Sequence, residues 1–236
     1  GVMSARRLAA STEANIMAGG IDVVSMRPRV TVNCAMTADG KLAGRSRRQL
    51  RISSEEDMAR VKALRASSDA ILVGVGTIVS DDPHLTVKGL PPERNPLRVV
   101  LDSNGRTPSD ARVLDERART LIATAEGCRR TWPGAEVVRC GRDSVDLGAL
   151  MDALGERGVR TLMVEGGGET IFSFFQAGLV DRYLVFVGSQ VVGGRGSPTP
   201  ADGDGFQDGA GVRLTLVDAE VLGDGILLSY EVHGQD

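Results

Sequence analysis

Histidine is almost missing from this 236-residue chain: only His84 and His233 occur. Zinc-site spacings cannot be built from two histidines, so no metal-dependent mechanism is expected. Cysteine is scarce as well. Cys34, Cys128 and Cys140 are odd in number, far apart and without C-x-x-C spacing. That argues against a disulfide scaffold and for a reducing, cytoplasmic setting. Lysine is limited to Lys41, Lys62 and Lys88 among 28 cationic residues, which draws attention to each of the three. No run of 18 apolar residues exists, so no membrane-spanning segment is expected. A net charge of −3 gives no reason to expect nucleic acid or a membrane surface as partner.

What is present describes an ordinary globular chain, 42% hydrophobic and 25% charged. Residues 1–26 have early arginines but an apolar stretch broken by polar residues, so they read as an N-terminal extension and not a signal peptide. Residues 27–236 read as one domain. From Arg29 short apolar runs alternate with helical stretches: strands are predicted at 29–36, 70–75, 97–102, 119–124, 135–140 and 160–165. Helices are predicted at 54–67, opened by a capping-box pattern at Ser54 with Met58, Val61 and Leu64 as its apolar stripe, at 144–157, and after the glycines to Ala177. Three final runs, 181–188, 212–222 and 225–232, read as strands without helices between them. The fold class expected is α/β, one mixed, mostly parallel sheet flanked by helices with antiparallel strands at its C-terminal end.

Three strand exits carry residues suited to chemistry. "EGGGET" (165–170) delivers Gly166, Gly167 and Gly168 to a helix start, where free N–H groups and the helix dipole favour a phosphate; a bare tight turn would use the same letters. It lacks the G-x-G-x-x-G spacing, so an ordinary Rossmann domain is not supported. "VGVGT" (73–77) brings Gly74, Gly76 and Thr77 to a second such turn, with Thr77 a phosphate donor or a helix cap, and Asp81 follows. "LDSNGR" (101–106) brings Ser103, Asn104, Gly105 and Arg106, suited to a 2′-phosphate or to a solvated turn. In "TADGK" (37–41), Asp39 and Lys41 flank a glycine and form either a proton-transfer pair or a surface turn. Glu165, beside an anion site, is costly without a partner.

"TADGKLA", "RISSEEDMARVKALRASSDAILVGVGTIVSDDPHLTV", "NPLRVVLDSNGR", "VDLGALMDALGERGVRTLMVEGGGE" and "FQAGLVDRYLVFV" together resemble the riboflavin-pathway reductases. The likeness runs from about Arg27 to about Val232, closer to the stand-alone archaeal type than to the reductase half of the bacterial bifunctional deaminase–reductase. The resemblance implies a dihydrofolate-reductase-like fold, a homodimer, and NADPH as cofactor with NADH second. It also implies reduction of the ribosyl group of 2,5-diamino-6-ribosylamino-4(3H)-pyrimidinone 5′-phosphate to ribityl. By position, Gly74, Gly76, Thr77, Asp81, Ser103 to Arg106, Val145 and Gly166 to Thr170, Glu169 included, match the cofactor side. Asn33, Gln49, Arg65, Leu85, Lys88 and Glu165 match the substrate side, and Lys41, Glu165 and Asp39 the catalytic positions. Arg51 departs from the aromatic usual in bacterial relatives, and the acid Glu169 is expected to face solvent. The deaminase signature H-x-E…P-C-x-x-C is missing, which implies a reductase alone. Alternatives are the same fold acting on the deaminated pyrimidine or on a pteridine, and a non-catalytic nucleotide-binding relative.

Overall fold

Buried aliphatic residues, most of them β-branched, set the strands. Val30 and Val32 in β1 (Arg29–Thr37), Ile71 and Leu72 in β2 (Ala70–Gly74) and Val99 and Val100 in β3 (Leu97–Leu101) are all fully shielded from solvent. Runs apolar on both faces belong to strands covered on both sides. A computed structural model describes residues 27–46, 50–207 and 210–233. Residues 1–26 and Gln49 lie outside these.

The remaining strands are β4 (Thr120–Thr124), β5 (Ala135–Arg139), β6 (Thr161–Gly166), β7 (Arg182–Gly188), β8 (Leu214–Leu222) and β9 (Gly225–Val232). They form one sheet in the order β5-β4-β3-β2-β6-β1-β7-β9-β8. From β5 to β7 every pairing is parallel, and β9 then runs antiparallel to both β7 and β8. Of the three late strands, β7 therefore joins the parallel part, and only the β8–β9 hairpin brings antiparallel pairing.

Among the described residues four α-helices cover the sheet: α1 (Glu55–Ala66), α2 (Val75–Asp81), α3 (Leu147–Glu156) and α4 (Gly168–Gln176). Leu150, Met151 and Leu154 of α3 and Ile171, Phe174 and Phe175 of α4 share one core with Val30, Leu72, Val99 and Leu121. Ile78 of α2, with Val61 and Leu64 of α1, packs on the opposite face with Ile71, Val100, Ile122 and Met163. Each fully buried side chain of this size contributes about 1.5–3 kcal/mol, so α4 alone, with four buried Ile and Phe side chains, is a major anchor.

Local chemistry moved some boundaries. Ser54 caps α1 by accepting from the Asp57 N–H at 3.1 Å, but the reciprocal half of a capping box is missing. Asp57 instead turns inward, fully buried, and pairs with Arg60 at 2.7 Å. Met58, expected in the apolar stripe, is 42% exposed because α1 forms a cleft wall there. Thr77 is not a helix cap: Gly74 holds that place, and Thr77 sits inside α2. Helix α3 starts at Leu147 because the Asp146 carboxylate caps it through the Ala149 N–H at 2.9 Å.

The pairing of β2 with β6 skips one residue. Leu72 faces Val164, but Val73 faces Gly166, so Glu165 is the extra residue of a β-bulge. Bulges re-aim a side chain at a sheet position where regular pairing would fix it.

Candidate active site

The strands β2 and β6 lie side by side, yet β2 leads through α2 toward β3 while β6 leads through α4 toward β7. Ligand crevices in open α/β sheets form at such reversals, beyond the C-terminal strand ends. A cleft of about 1120 Å³ opens here. That lies just above the usual range for a ligand site, about 300–1,000 Å³.

Both glycine turns meet on its floor. Neither N-cap residue, Gly74 of α2 or Gly167 of α4, contributes a side-chain cap. The first internal bond of α4 runs from Ile171 N–H to the Gly167 carbonyl at 3.0 Å, so the N–H groups of Gly168, Glu169 and Thr170 precede it and have no partner among the described residues. Such a helix start attracts an anion. Gly167 has φ +34 and Gly166 φ +144, conformations that side chains resist. Gly74 has an ordinary φ of −77, and there the constraint is space, because a Cβ would collide with the Thr170 hydroxyl. A Gly167 Cβ would stand 3.9 Å from Thr77 Oγ1, which places that hydroxyl beside the second turn. A cradle this bare fits a pyrophosphate.

At the β3 exit, Ser103, Asn104 and Arg106 line the cleft. Their turn is built around Asp102, fully buried, whose carboxylate accepts from the Arg106 N–H (2.8 Å), the Thr107 N–H and the Thr107 hydroxyl (both 2.7 Å). The Ser103 hydroxyl accepts from Val145 N–H at 3.1 Å, which ties Val145 to this end without placing it in the lining. Gly105 is buried behind the turn with φ +71. Asp81 and Glu169 are exposed at the cleft edge.

Glu165 finds its partner in α1. Arg65 donates Nε to Oε1 at 2.5 Å and Nη2 to Oε2 at 2.6 Å, a bidentate pair on the cleft wall. Such fork-to-fork pairs fix geometry as well as charge. Burial works to lower the Arg65 pKa, but the Glu165 charge and its hydrogen bonds prevail and raise it. Across the cleft stand Leu85, Thr86 and the exposed Lys88. Leu85 has φ +50, a strained region for a bulky residue that persists only where its surroundings hold it. Arg98 does the holding. Fully buried on β3, it donates to His84 O (3.3 Å), Asp115 Oδ1 (2.8 Å), Thr120 Oγ1 (2.9 Å) and the carbonyls of Asp115 and Ala118 (both 2.5 Å). Burial lowers the Arg98 pKa against the pull of Asp115.

On the substrate and catalytic side, three of the described residues expected there stand back from the lining. Asn33 is buried and accepts from Arg60 Nη2 at 2.8 Å. Lys41 precedes the cleft-lining Leu42, its side chain without a protein partner among the described residues. The Asp39 carboxylate accepts from the Thr37 hydroxyl (2.5 Å) and the N–H groups of Gly193 (2.7 Å) and Val192 (3.3 Å). Those bonds, the Thr37 hydroxyl first, hold it below the usual carboxylate range. Arg51, at the cleft mouth, is exposed and 3.7 Å from Glu55. Sequence reasoning passed over Asp102, Arg98 and Asp202, all polar residues whose burial or reach only the packed fold displays.

Comparison with known proteins agrees with this architecture. A model of the RibD C-terminal domain matches residues 28–228. A relative from Archaeoglobus fulgidus, described as 2,5-diamino-6-ribosylamino-4(3H)-pyrimidinone 5′-phosphate reductase, is 48% identical over 77% of this chain and 89% of its own length. One from Methanothermobacter thermautotrophicus with the same description is 42% identical over 89% of this chain and 100% of its own. Among solved structures, a deaminase/reductase from Thermotoga maritima superposes with a TM-score of 0.74 at 26% identity. It covers 88% of this chain, which spans 57% of that bifunctional one. The riboflavin biosynthesis reductase of Saccharomyces cerevisiae, at 20% identity and a TM-score of 0.68, shares the fold. The sheet order and helical layers are thus those of the dihydrofolate-reductase-like reductases, and no described helix is long and apolar enough to cross a membrane. With its matched span covering nearly all the described residues, the chain belongs to the RibD C-terminal domain family.

Proposed function

We propose that this oxidoreductase reduces the ribosyl group of 2,5-diamino-6-ribosylamino-4(3H)-pyrimidinone 5′-phosphate to ribityl, with NADPH as the preferred nicotinamide cofactor. The single observation that carries the reading is the bulged Glu165, paired to Arg65 on the cleft wall directly before the bare glycine turn. It sets a sugar-binding carboxylate against a phosphate cradle. Gly74, Gly76, Thr77 and Gly166 to Thr170 hold the pyrophosphate, and Ser103 to Arg106 the 2′-phosphate end. Arg106 is the group that favours NADPH over NADH. When bound, the nicotinamide supplies the hydride.

The substrate accepts hydride only after its sugar ring opens to an imine at C1′, and nitrogen then takes a proton. Glu165 orients the ribose hydroxyls, held in place by Arg65. The third nitrogen of Arg65 and the ammonium of Lys88 face the 5′-phosphate. Lys41, at the mouth of the β1 turn, carries the proton. Leu85 shapes the pyrimidine end, and Asn33 stands behind it as the acceptor that holds Arg60. In solution a second copy pairs along β8, whose Leu216, Val217 and Val221 are 54%, 58% and 78% exposed at the sheet edge.

The decisive experiment follows NADPH oxidation with the diamino substrate, its deaminated counterpart and dihydrofolate side by side. Turnover should be fastest with the diamino compound. Lys41→Met should lower kcat at least about a hundredfold, within the range for a general acid, while leaving NADPH affinity unchanged. Equal turnover with dihydrofolate, or an intact kcat in the variant, would sink the assignment.

A further inference from the structure

Between β7 and β8 the chain runs as a strap, residues 190–206, that touches both halves of the cleft. One end is fastened to the turn after β1. The Ala38 N–H donates to the Gln190 carbonyl and the Leu42 N–H to the Pro198 carbonyl, both at 2.8 Å. The Asp39 carboxylate adds the bonds from Val192 and Gly193. At the other end the Asp202 N–H donates to the Gly168 carbonyl at 3.2 Å. Thr199 donates its N–H (3.1 Å) and its hydroxyl (2.6 Å) to Asp202 Oδ1. Phe206 then closes edge-on over Phe172 of α4, ring centroids 5.1 Å apart.

This leaves Asp202 Oδ2 uncommitted beside α4, 2.6 Å from where a Gly168 Cβ would stand, and Asp202 is part of the cleft lining. The strap between these ends carries Gly193, Gly194, Gly196, Pro198 and Pro200, with no regular structure to stiffen it. A glycine-rich stretch of this kind is costly to order, and charge-assisted bonds at its ends are what oppose that cost. The strap thus hangs from the β1 turn at Gln190, at Val192 and Gly193 through Asp39, and at Pro198 next to Thr199, so the Asp39 carboxylate, which also takes the Thr37 hydroxyl, ties that turn to the segment that seats Asp202.

We infer that Asp39 is a positioning residue for the cofactor, acting through the strap 190–206 on Asp202, whose free carboxylate oxygen accepts from a ribose hydroxyl of the cofactor beside the start of α4. The inference rests on the reading of the α4 turn as the pyrophosphate site. It also makes the turn that bears Lys41 and the turn that bears Gly168 sensitive to each other's occupants, as linkage requires.

The test is a double-mutant cycle on the full chain, with NADPH affinity measured by titration calorimetry in the wild type, Asp39→Asn, Asp202→Asn and the pair. Asp39→Asn keeps an acceptor but loses the charge, and should weaken NADPH about tenfold although it lies outside the cleft lining. Asp202→Asn should do the same. The pair should be no more than about twofold worse than Asp202→Asn alone, because a pin with nothing to seat transmits nothing. A fully multiplicative pair overturns the inference, as does an Asp39→Asn variant that binds like the wild type. Should Asp39→Asn fail to fold, Thr199→Val removes only one bond of the far seat and should weaken NADPH about threefold; unchanged affinity there overturns it equally. A wild type that binds neither NADPH nor NADH brings down the cofactor reading and the strap together. A silent Asp39→Asn in a protein that does bind brings down the strap alone.

Discussion

Arg98→Met deletes the five bonds of the buried guanidinium and keeps its aliphatic stem. Breaking a buried ion pair from one side costs about 3–5 kcal/mol, because the partner groups are left without donors. Here the Asp115 side chain is 30% exposed, so water can reach it and the lower end applies, about 3 kcal/mol. For a chain of this size that corresponds to a melting temperature lower by about 6–12 °C. Urea unfolding followed by circular dichroism measures the loss as a lower midpoint at unchanged slope. A second readout separates the network from bulk stability. Arg98 grips the His84 carbonyl next to the strained Leu85, so its removal lets that loop relax away from the substrate side. KM for the phosphorylated pyrimidine should rise several-fold, and NADPH affinity should stay within about twofold, since the glycine turns share none of these bonds. A variant within about 1 kcal/mol of wild type, or one that loses cofactor affinity instead, would refute the reasoning.

Gly74→Ala drives a methyl into the Thr170 hydroxyl, an overpacking that should cost about 1–3 kcal/mol in a thermal melt. Because the backbone at Gly74 is ordinary, adding Thr170→Ala should recover most of that loss; a double variant no more stable than the single one would show the crowding to be irrelevant. For the dimer, Leu216→Asp with Val221→Asp should convert a two-copy species to monomer in sedimentation velocity. Each exposed side chain covered there is worth up to about 1.5–3 kcal/mol. A monomeric wild type would remove β8 as the contact.

Periodicity made the scaffold legible. Strands β2, β3 and β4 are short apolar runs bounded by turn residues, and their predicted limits differ from the observed ones by no more than a residue at either end. The glycine turns were readable for the same reason, since glycine leaves little else to explain it at a strand exit. Glu165 announced that it needed a partner, but that partner is 100 residues away and depends on the sheet order that brings β6 beside β2. Arg65 looked like an isolated cation until α1 was placed. Arg98 and Asp102 carried no signal, and Asp57 read as part of a capping box, because a charged residue in a sequence reads as solvated and only packing shows that it is buried. Asp39 read as either a proton-transfer partner or a surface-turn residue, and its hydrogen bonds to Val192 and Gly193 reach across a distance in sequence that no local pattern shows.

The bulge at Glu165 bears on two kinds of change to this protein. As the residue that β2 skips, Glu165 owes nothing to the ladder beside it, so replacing its side chain leaves the strand pairing as it was. The cost of exchanging it falls instead on Arg65, which loses both bonds of its pair. Deleting the residue closes the bulge: Gly166 then follows Val164 directly and still faces Val73, so the ladder keeps its register while the side chain that reached Arg65 is gone. The ladder therefore asks nothing of this position, and the case for a carboxylate here rests on its grip on Arg65 at the cleft wall.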